Sequence, residues 1–410
     1  TFKASFVKNV DIFTSVLFSI ILNRNWALES SKLDFNEKAS LVFENIEFNN
    51  LNFYYTKLHS FLNKKDVIFV KYFRQMKPIK AESYSIFFEN EGYNTLKSHL
   101  NSCNYSKIFI HLDFNTNKDC LSVLIDKIKI KEYETIISKD GEDHKNIESC
   151  MFLWNKLSSL GADRKSLIIN LGGGVVGDMG GFIASTFKRG IDYINIPTTL
   201  LSMVDASIGG KTGVDLGVLK NQIGTFHDPK MVIIDPIYLN TLNKLEIFSG
   251  YAEIFKHSLI SNLDLFNKLV SEKNNSIIYN LKIINKSIEI KNKIILIDKK
   301  ENKERKALNF GHTLGHAIES FFLNTNKRLL HGEAIGIGIV LASYISNKYF
   351  NFSQFDLDKI KKHILKIYKK INFSNSEIME IIKLLKHDKK NSHGKINFIL
   401  LKEIGNTVYD

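Results

Sequence analysis

Short apolar runs bounded by turn residues recur through the first half of the chain. Residues 107–112 (KIFIHL), 132–137, 166–170 (SLIIN), 192–196 (DYINI) and 231–234 each predict a strand. Residues 146–160 have helical spacing and end at Gly161, a C-cap residue, and 140–142 (DGE) form a turn. Strands alternating with helical stretches predict a parallel α/β sheet. After about residue 240 the period becomes helical: 249–261, 263–272, 276–297, 309–322, 332–349 and 357–370 predict helices. Residues 1–80 mix aromatic and charged positions with no stable period. The expected organisation is therefore an uncharacterised segment 1–80, an α/β domain 81–240 with a parallel sheet, and an all-α domain 241–410.

Composition narrows the picture. An apolar fraction of 44% supports real cores, and 24% charged residues fits a globular protein. The net charge is +13, but Lys and Asn are spread evenly along the chain and cover ordinary helix faces such as 286–303, which argues against a nucleic-acid partner. Cys103, Cys120 and Cys150 show neither a CxxC spacing nor an even disulfide pattern, which suits a reducing, cytoplasmic compartment. No run reaches the ~18 apolar residues of a membrane span, so no membrane partner is expected. Residues 10–22 (VDIFTSVLFSIIL) resemble a signal-peptide core but lack an A-x-A-like cleavage site and read as a packing segment. The first residue is Thr1, which leaves a start further upstream open.

Three groups of residues carry chemistry. First, Gly172, Gly174 and Gly177 satisfy G-x-G-x-x-G directly after a strand; such a turn brings backbone amides and a helix N-terminus to a pyrophosphate. The acidic residue usual some twenty positions on is not clear, and Asp113, Asn115 and Glu142 upstream are the candidates for a ribose contact. Thr198 and Thr199 follow the strand DYINI, at the end of a sheet where ligands bind. Second, His312 and His316 stand at i and i+4 on one helical face, His331 follows, and Glu253 brings a carboxylate with Lys256 one turn on and His257 beside it. One carboxylate with two histidines leaves open positions on a divalent ion, the arrangement of a catalytic centre. No HExxH glutamate is present, so a metalloprotease is excluded. Third, Lys211, Lys220, Asn221, Lys256, Lys291, Arg305 and Asn309 form a set of donors that, if they converge, cage carboxylate and phosphate. GGKTG is not a Walker loop, because Asp205 stands where its first glycine belongs.

The strings LGGGVVGD, IPTTLLSMVDASIGGKTGVD, LKNQIGTFHDP, SGYAEIFKH, RKALNFGHTLGHAIE and HGEA, in this order, closely resemble the 3-dehydroquinate synthase family of sugar-phosphate cyclases. The resemblance runs from about Tyr84 to the C-terminus and has no counterpart for the first eighty residues or so. It implies an NAD-binding α/β domain followed by a helical domain that holds a divalent metal, usually zinc, with cobalt as the alternative. The implied metal ligands are Glu253, His312 and His331. The implied NAD contacts are Asp113, Asn115, Glu142, Lys145, Gly173, Gly174, Val175, Asp178, Thr198, Thr199 and Thr241. Catalytic roles fall to His316, Asn309, Lys211, Lys256, Lys291, Arg305, Asp205 and Lys389, and substrate contacts to Lys220, Asn221 and His393. Arg189 matches an arginine that reaches the phosphate from a neighbouring subunit, which implies a homodimer. The interval from His312 to His331 is longer than the resemblance leads one to expect. The implied activity is the shikimate-pathway conversion of DAHP, a phosphorylated keto-acid sugar, to 3-dehydroquinate and phosphate. Sister cyclases, a metal-dependent polyol dehydrogenase and a non-catalytic nucleotide- or nucleic-acid-binding protein are the competing readings.

Overall fold

The computed structural model describes residues 76–217, 219–272, 278–323, 325–385 and 396–409. The apolar segment 10–22, Lys389 and His393 lie outside them. Among the described residues, a seven-stranded sheet is built from β1 (Ile79–Lys80), β2 (Ser85–Phe88), β3 (Ile108–Asp113), β4 (Glu134–Ser138), β5 (Leu167–Gly172), β6 (Asp192–Pro197) and β9 (Met231–Ile234). A separate antiparallel hairpin, β7 (Lys211–Leu216) and β8 (Leu219–Phe226), comes between β6 and β9 in the chain. The spatial order is β1-β2-β9-β6-β5-β3-β4, antiparallel only at β1–β2. Every strand expected from the sequence is present. Residues 79 and 80, placed by the sequence in the unassigned segment, belong to the sheet edge.

The central strands are apolar throughout because both faces are covered. Phe109, Ile168 and Tyr193 face one core together with α4 (Ile147–Ser159) and α5 (Gly174–Thr186). Their neighbours Ile110, Ile169 and Ile194 face the other core with α1 (Glu89–Ser102) and α3 (Leu121–Ile128). From β3 the chain moves outward to β4, and from β5 it moves outward the opposite way to β6. The connections therefore diverge between β3 and β5 and leave a crevice at their carboxyl ends. The short α2 (Phe114–Asp119) starts there, capped by Asp113, whose carboxylate accepts from the Thr116 amide at 2.7 Å.

A polar ladder crosses the sheet below α5. His111 bonds Asn170 and Ser138, each at 3.2 Å, and Asn170 donates to Asn195 at 2.9 Å. The helix passes so close that a Cβ on Gly180 would lie 1.9 Å from Asn170 Oδ1. Burial pushes His111 down from 6.5 to about 4. The unfolded chain binds this proton near pH 6.5 and the folded one only near pH 4, so the stabilisation is complete above pH 6.5 and fades as the pH falls towards 4. It amounts to roughly 3 kcal/mol. The urea midpoint of His111→Gln is expected to fall less over this interval than that of the wild type, and equal falls would refute the assignment.

Beyond the sheet the chain is mainly helical: α6 (Lys244–Ser261), α7 (Leu263–Ser271), α8 (Leu281–Ile297), α9 (His312–Phe322), α10 (His331–Phe350), α11 (Gln354–Ile367) and α12 (Asn375–Leu385). Helix α10 is central and touches α6, α9 and α11. A small hairpin, β10 (Leu400–Glu403) and β11 (Asn406–Val408), adds strands to the part expected to be wholly helical. No described helix is long and apolar enough to cross a membrane.

Candidate active site

Helix α6 is buried along most of its length, because it is wrapped by α8, α10 and the turn 202–206. Glu253 at its middle is 0% exposed and Lys256, one turn on, is 1% exposed. One carboxylate oxygen of Glu253 accepts from the Lys256 ammonium. The other, Oε1, is 3.4 Å from His312 Nε2 and 3.7 Å from His331 Nε2. Burial alone would push the Glu253 carboxyl up; Lys256 and His312 outweigh it and hold it well below the usual range.

The two imidazoles are fixed from behind. His312 opens α9, and its Nδ1 lies 3.2 Å from the Phe310 carbonyl. His331 opens α10, and its Nδ1 lies 3.1 Å from Glu319 Oε2. A carbonyl and a carboxylate only accept, so each neutral ring carries its proton on Nδ1 and turns the Nε2 lone pair towards Glu253. Glu253 Oε1 has no hydrogen-bond donor although it is fully buried. Burial would lower the His331 pKa, but Glu253 and Glu319 raise it to about 9, so the point between Glu253 Oε1 and the two Nε2 atoms draws positive charge, a proton or a metal ion. The donor set therefore fits a divalent cation with open positions. His316 is alongside, its ring centroid 5.1 Å from that of His312 and 5.8 Å from that of His331. Gly311, which caps α9 with φ 77°, permits the approach to α10: a Cβ there would lie 2.8 Å from the Ile339 backbone nitrogen. A second convergence, Asp205 with Glu253 and His257, has the ammonium groups of Lys256 and Lys291 against it, which oppose a further cation.

Of the expected anion donors, Lys211, Lys220, Lys256, Lys291, Arg305 and Asn309 each donate to an internal acceptor, whereas the Asn221 side chain accepts from Lys145. Lys291 donates to Asp205 Oδ1 at 2.6 Å. Lys211 and Asn309 both donate to Glu301, a residue at φ 64°. Lys220 donates to Glu319 Oε1 at 2.8 Å. Arg305 is buried, donates from Nη1 to the Lys299 carbonyl at 2.5 Å, and lies under Gly209, whose Cβ would come 2.8 Å from Nη2. Glu301 and Glu319 were missed in the sequence. Their only signal was an acid in each of two basic, histidine-bearing stretches, and nothing local says which cation each one meets.

The nucleotide candidates line the carboxyl edge of the sheet. Asp113 ends β3, Gly172 ends β5 and leads into Gly173, and Thr198 and Thr199 follow the end of β6. Gly173 caps α5 without a side chain, so the first-turn amides of Gly174 and Val175 stay open to an anion, which fits a pyrophosphate. Lys145 is buried where three elements meet. Its ammonium donates to Asp178 Oδ2 at 2.6 Å and Asn221 Oδ1 at 2.7 Å, with Glu142 at 3.9 Å. Burial alone would lower the Lys145 pKa, but Asp178 and Glu142 hold it above the usual range. Asn115 donates to Asp140 at 3.3 Å, and the Thr241 hydroxyl donates to the Tyr238 carbonyl at 3.3 Å. Arg189 is not brought to this centre. It precedes the amino end of β6 at φ 72° and lines a cleft with Tyr105, Lys165 and His227.

Known proteins resemble this chain in sequence and in fold. The profile described as 3-dehydroquinate synthase N-terminal matches residues 135–249, and that described as 3-dehydroquinate synthase C-terminal matches residues 250–391. The 3-dehydroquinate synthase of Parabacteroides distasonis is 41% identical over 312 residues, covering 76% of this chain and 88% of its own length. That of Thermoanaerobacter pseudethanolicus is 41% identical over 344 residues, covering 80% and 93%. In fold, a 2-deoxy-scyllo-inosose synthase complexed with carbaglucose-6-phosphate, NAD+ and Co2+ superposes with a TM-score of 0.73 at 24% identity, over 82% of this chain and 94% of that one. A 2-epi-5-epi-valiolone synthase from Streptomyces hygroscopicus subsp. jinggangensis with NAD+ and Zn2+ does so with a TM-score of 0.69 at 23% identity, over the same shares, 82% and 94%. By both halves of its sequence, this chain belongs to the 3-dehydroquinate synthase family.

Proposed function

We propose that the protein is a 3-dehydroquinate synthase that converts DAHP to 3-dehydroquinate and phosphate, with NAD and a divalent ion as cofactors. The observation that carries this reading is the meeting of Glu253 Oε1 with the Nε2 atoms of His312 and His331, 3.4 and 3.7 Å away, beside a ring of lysines. When bound, the ion polarises a substrate hydroxyl as a Lewis acid and NAD takes up and returns a hydride. The chain's own residues bind and orient the substrate. Lys211, Lys220 and Arg305 exchange internal acceptors for the phosphate and carboxylate of the substrate, and the two lysines are charge-balanced by Glu301 and Glu319 before it arrives. Asn309 and Asn221 add neutral hydrogen bonds, and Asp205 holds Lys291 in place. Lys256 fixes the Glu253 carboxylate, and His316 moves a proton at the reacting hydroxyl. Lys389 and His393 join the same set on the resemblance alone.

Residues 81–240 supply the nucleotide edge, with Asp113, Asn115, Glu142, Lys145, Gly173, Gly174, Val175, Asp178, Thr198 and Thr199, while 241–410 add Thr241 to that edge and supply the ion and most substrate contacts. Zinc is the proposed ion, with cobalt able to replace it, and the cytoplasm is the proposed compartment. Arg189 lies apart from the centre of its own chain, which supports a homodimer in which it reaches the partner's substrate phosphate. With DAHP and catalytic NAD, the purified protein is expected to release phosphate without net NADH, and chelation is expected to stop it. Phosphate release unaffected by NAD or chelator would end this reading, and net NADH from glycerol would favour a dehydrogenase.

A further inference from the structure

Helix α9 carries His312, His316 and Glu319 at i, i+4 and i+7, so all three project from one face. Glu319 is 7% exposed, and both of its oxygens are engaged. Oε2 meets His331 Nδ1 at 3.1 Å, and Oε1 accepts from Lys220 Nζ at 2.8 Å. Burial would push this carboxyl up; His331 and Lys220 together bring it down to about 2.

We propose that Glu319 is a positioning residue that couples the metal centre to the anion-binding hairpin, by orienting His331 with one oxygen and anchoring β8 through Lys220 with the other. The proposal rests on the metal-centre reading above. The first contact sets the tautomer of His331 and raises the basicity of Nε2, which a partner behind a ligating imidazole does. The second is the described contact that ties the Lys220 side chain to the helical part of the chain. That anchor acts on the outer strand of the hairpin: β7 packs on α5 with Val214 fully buried, whereas β8, which carries Lys220 and Asn221, has no buried residue. The hairpin's outer positions Leu216, Leu219 and Phe226 are exposed, so little apolar packing holds its far side. One carboxylate thus serves two requirements that have to be met together: the ligand's aim at the ion and the hairpin's place over the substrate.

The test uses the full chain. Zinc affinity is measured on the metal-stripped protein by competition with a chromophoric chelator, and amide hydrogen exchange across residues 211–226 is measured on the zinc-loaded protein. Glu319→Gln keeps the shape and removes the charge; it is expected to weaken zinc by ~10–100-fold and to speed exchange in the hairpin. Lys220→Met is expected to speed the same exchange while zinc affinity stays near that of the wild type. Glu319→Asp keeps the charge and is expected to restore part of both, which a purely structural role would not produce. Zinc affinity of Glu319→Gln equal to the wild type, or hairpin exchange equal to the wild type, overturns the proposal. A wild-type protein that binds no zinc in the same titration brings down the metal-centre reading itself, so the two failures are separable.

Discussion

Replacing Glu253 by Gln is expected to abolish bound zinc and to cut phosphate release from DAHP by about a thousandfold or more. The amide keeps the size of the side chain and loses the charge that, with two neutral imidazoles, attracts a divalent ion. The Lewis acid supplies several kcal/mol of barrier lowering, and each 1.36 kcal/mol is tenfold in rate, so a loss of about 4 kcal/mol gives that factor. The same change leaves the ammonium of Lys256 buried without its partner. Breaking a buried pair costs about 3–5 kcal/mol, so a lower denaturation midpoint accompanies the loss of activity. Zinc content and kcat, measured together on refolded, monodisperse protein, decide the matter. A variant that holds stoichiometric zinc and turns over normally would remove Glu253 from the centre.

The second large effect is expected at Lys145. Its ammonium is buried against Asp178 of α5, Asn221 of β8 and Glu142, and its carbonyl accepts from the Asp215 amide at 2.8 Å. Lys145→Met fills a similar volume but strands the Asp178 carboxylate, which burial already pushes upward in spite of the lysine. The cost in stability is again about 3–5 kcal/mol. Because the contact also sets α5, whose first turn is the proposed pyrophosphate cradle, the KM for NAD is expected to rise more than kcat falls. A midpoint within experimental error of the wild type would show that the ion pair carries no net stability, and an unchanged KM would separate Lys145 from the nucleotide edge.

These residues differ in how far the sequence exposes them. The strands at 107–112, 166–170, 192–196 and 231–234 were legible because a sheet buried on both faces leaves a short unbroken apolar run. The helix at 146–160 was legible to its cap, since Gly161 adopts φ 73° where the sequence places a C-cap. The hairpin β7–β8 was not legible as structure. Its stretch GGKTGVD has only a superficial likeness to a Walker loop, and two of its glycines face each other as Gly213 and Gly224, where a Cβ on Gly224 would lie 2.2 Å from the Thr212 carbonyl oxygen. Those glycines serve close strand contact, and no local pattern distinguishes that from an anion cradle.

The site shows the same division. His312 and His316 stand on one helical face by their spacing alone, and a carboxylate with histidines in one half of the chain already pointed to a cation. The proton-bearing Nδ1 atoms of His312 and His331 depend on a carbonyl and on Glu319, and neither partner follows from ligand spacing. Likewise each lysine announced a positive charge, while Asp205, Glu301 and Glu319 became its acceptors only through the fold, across 86, 90 and 99 positions of sequence. The sequence by itself determined which segments are strands and helices and which side chains have the chemistry of a metal-dependent, anion-binding enzyme, because periodicity and residue type act over one or two turns of chain. Only the tertiary structure decided who meets whom, because hydrogen-bond partners, burial and the direction of a lone pair are set by elements that the chain brings together from far apart.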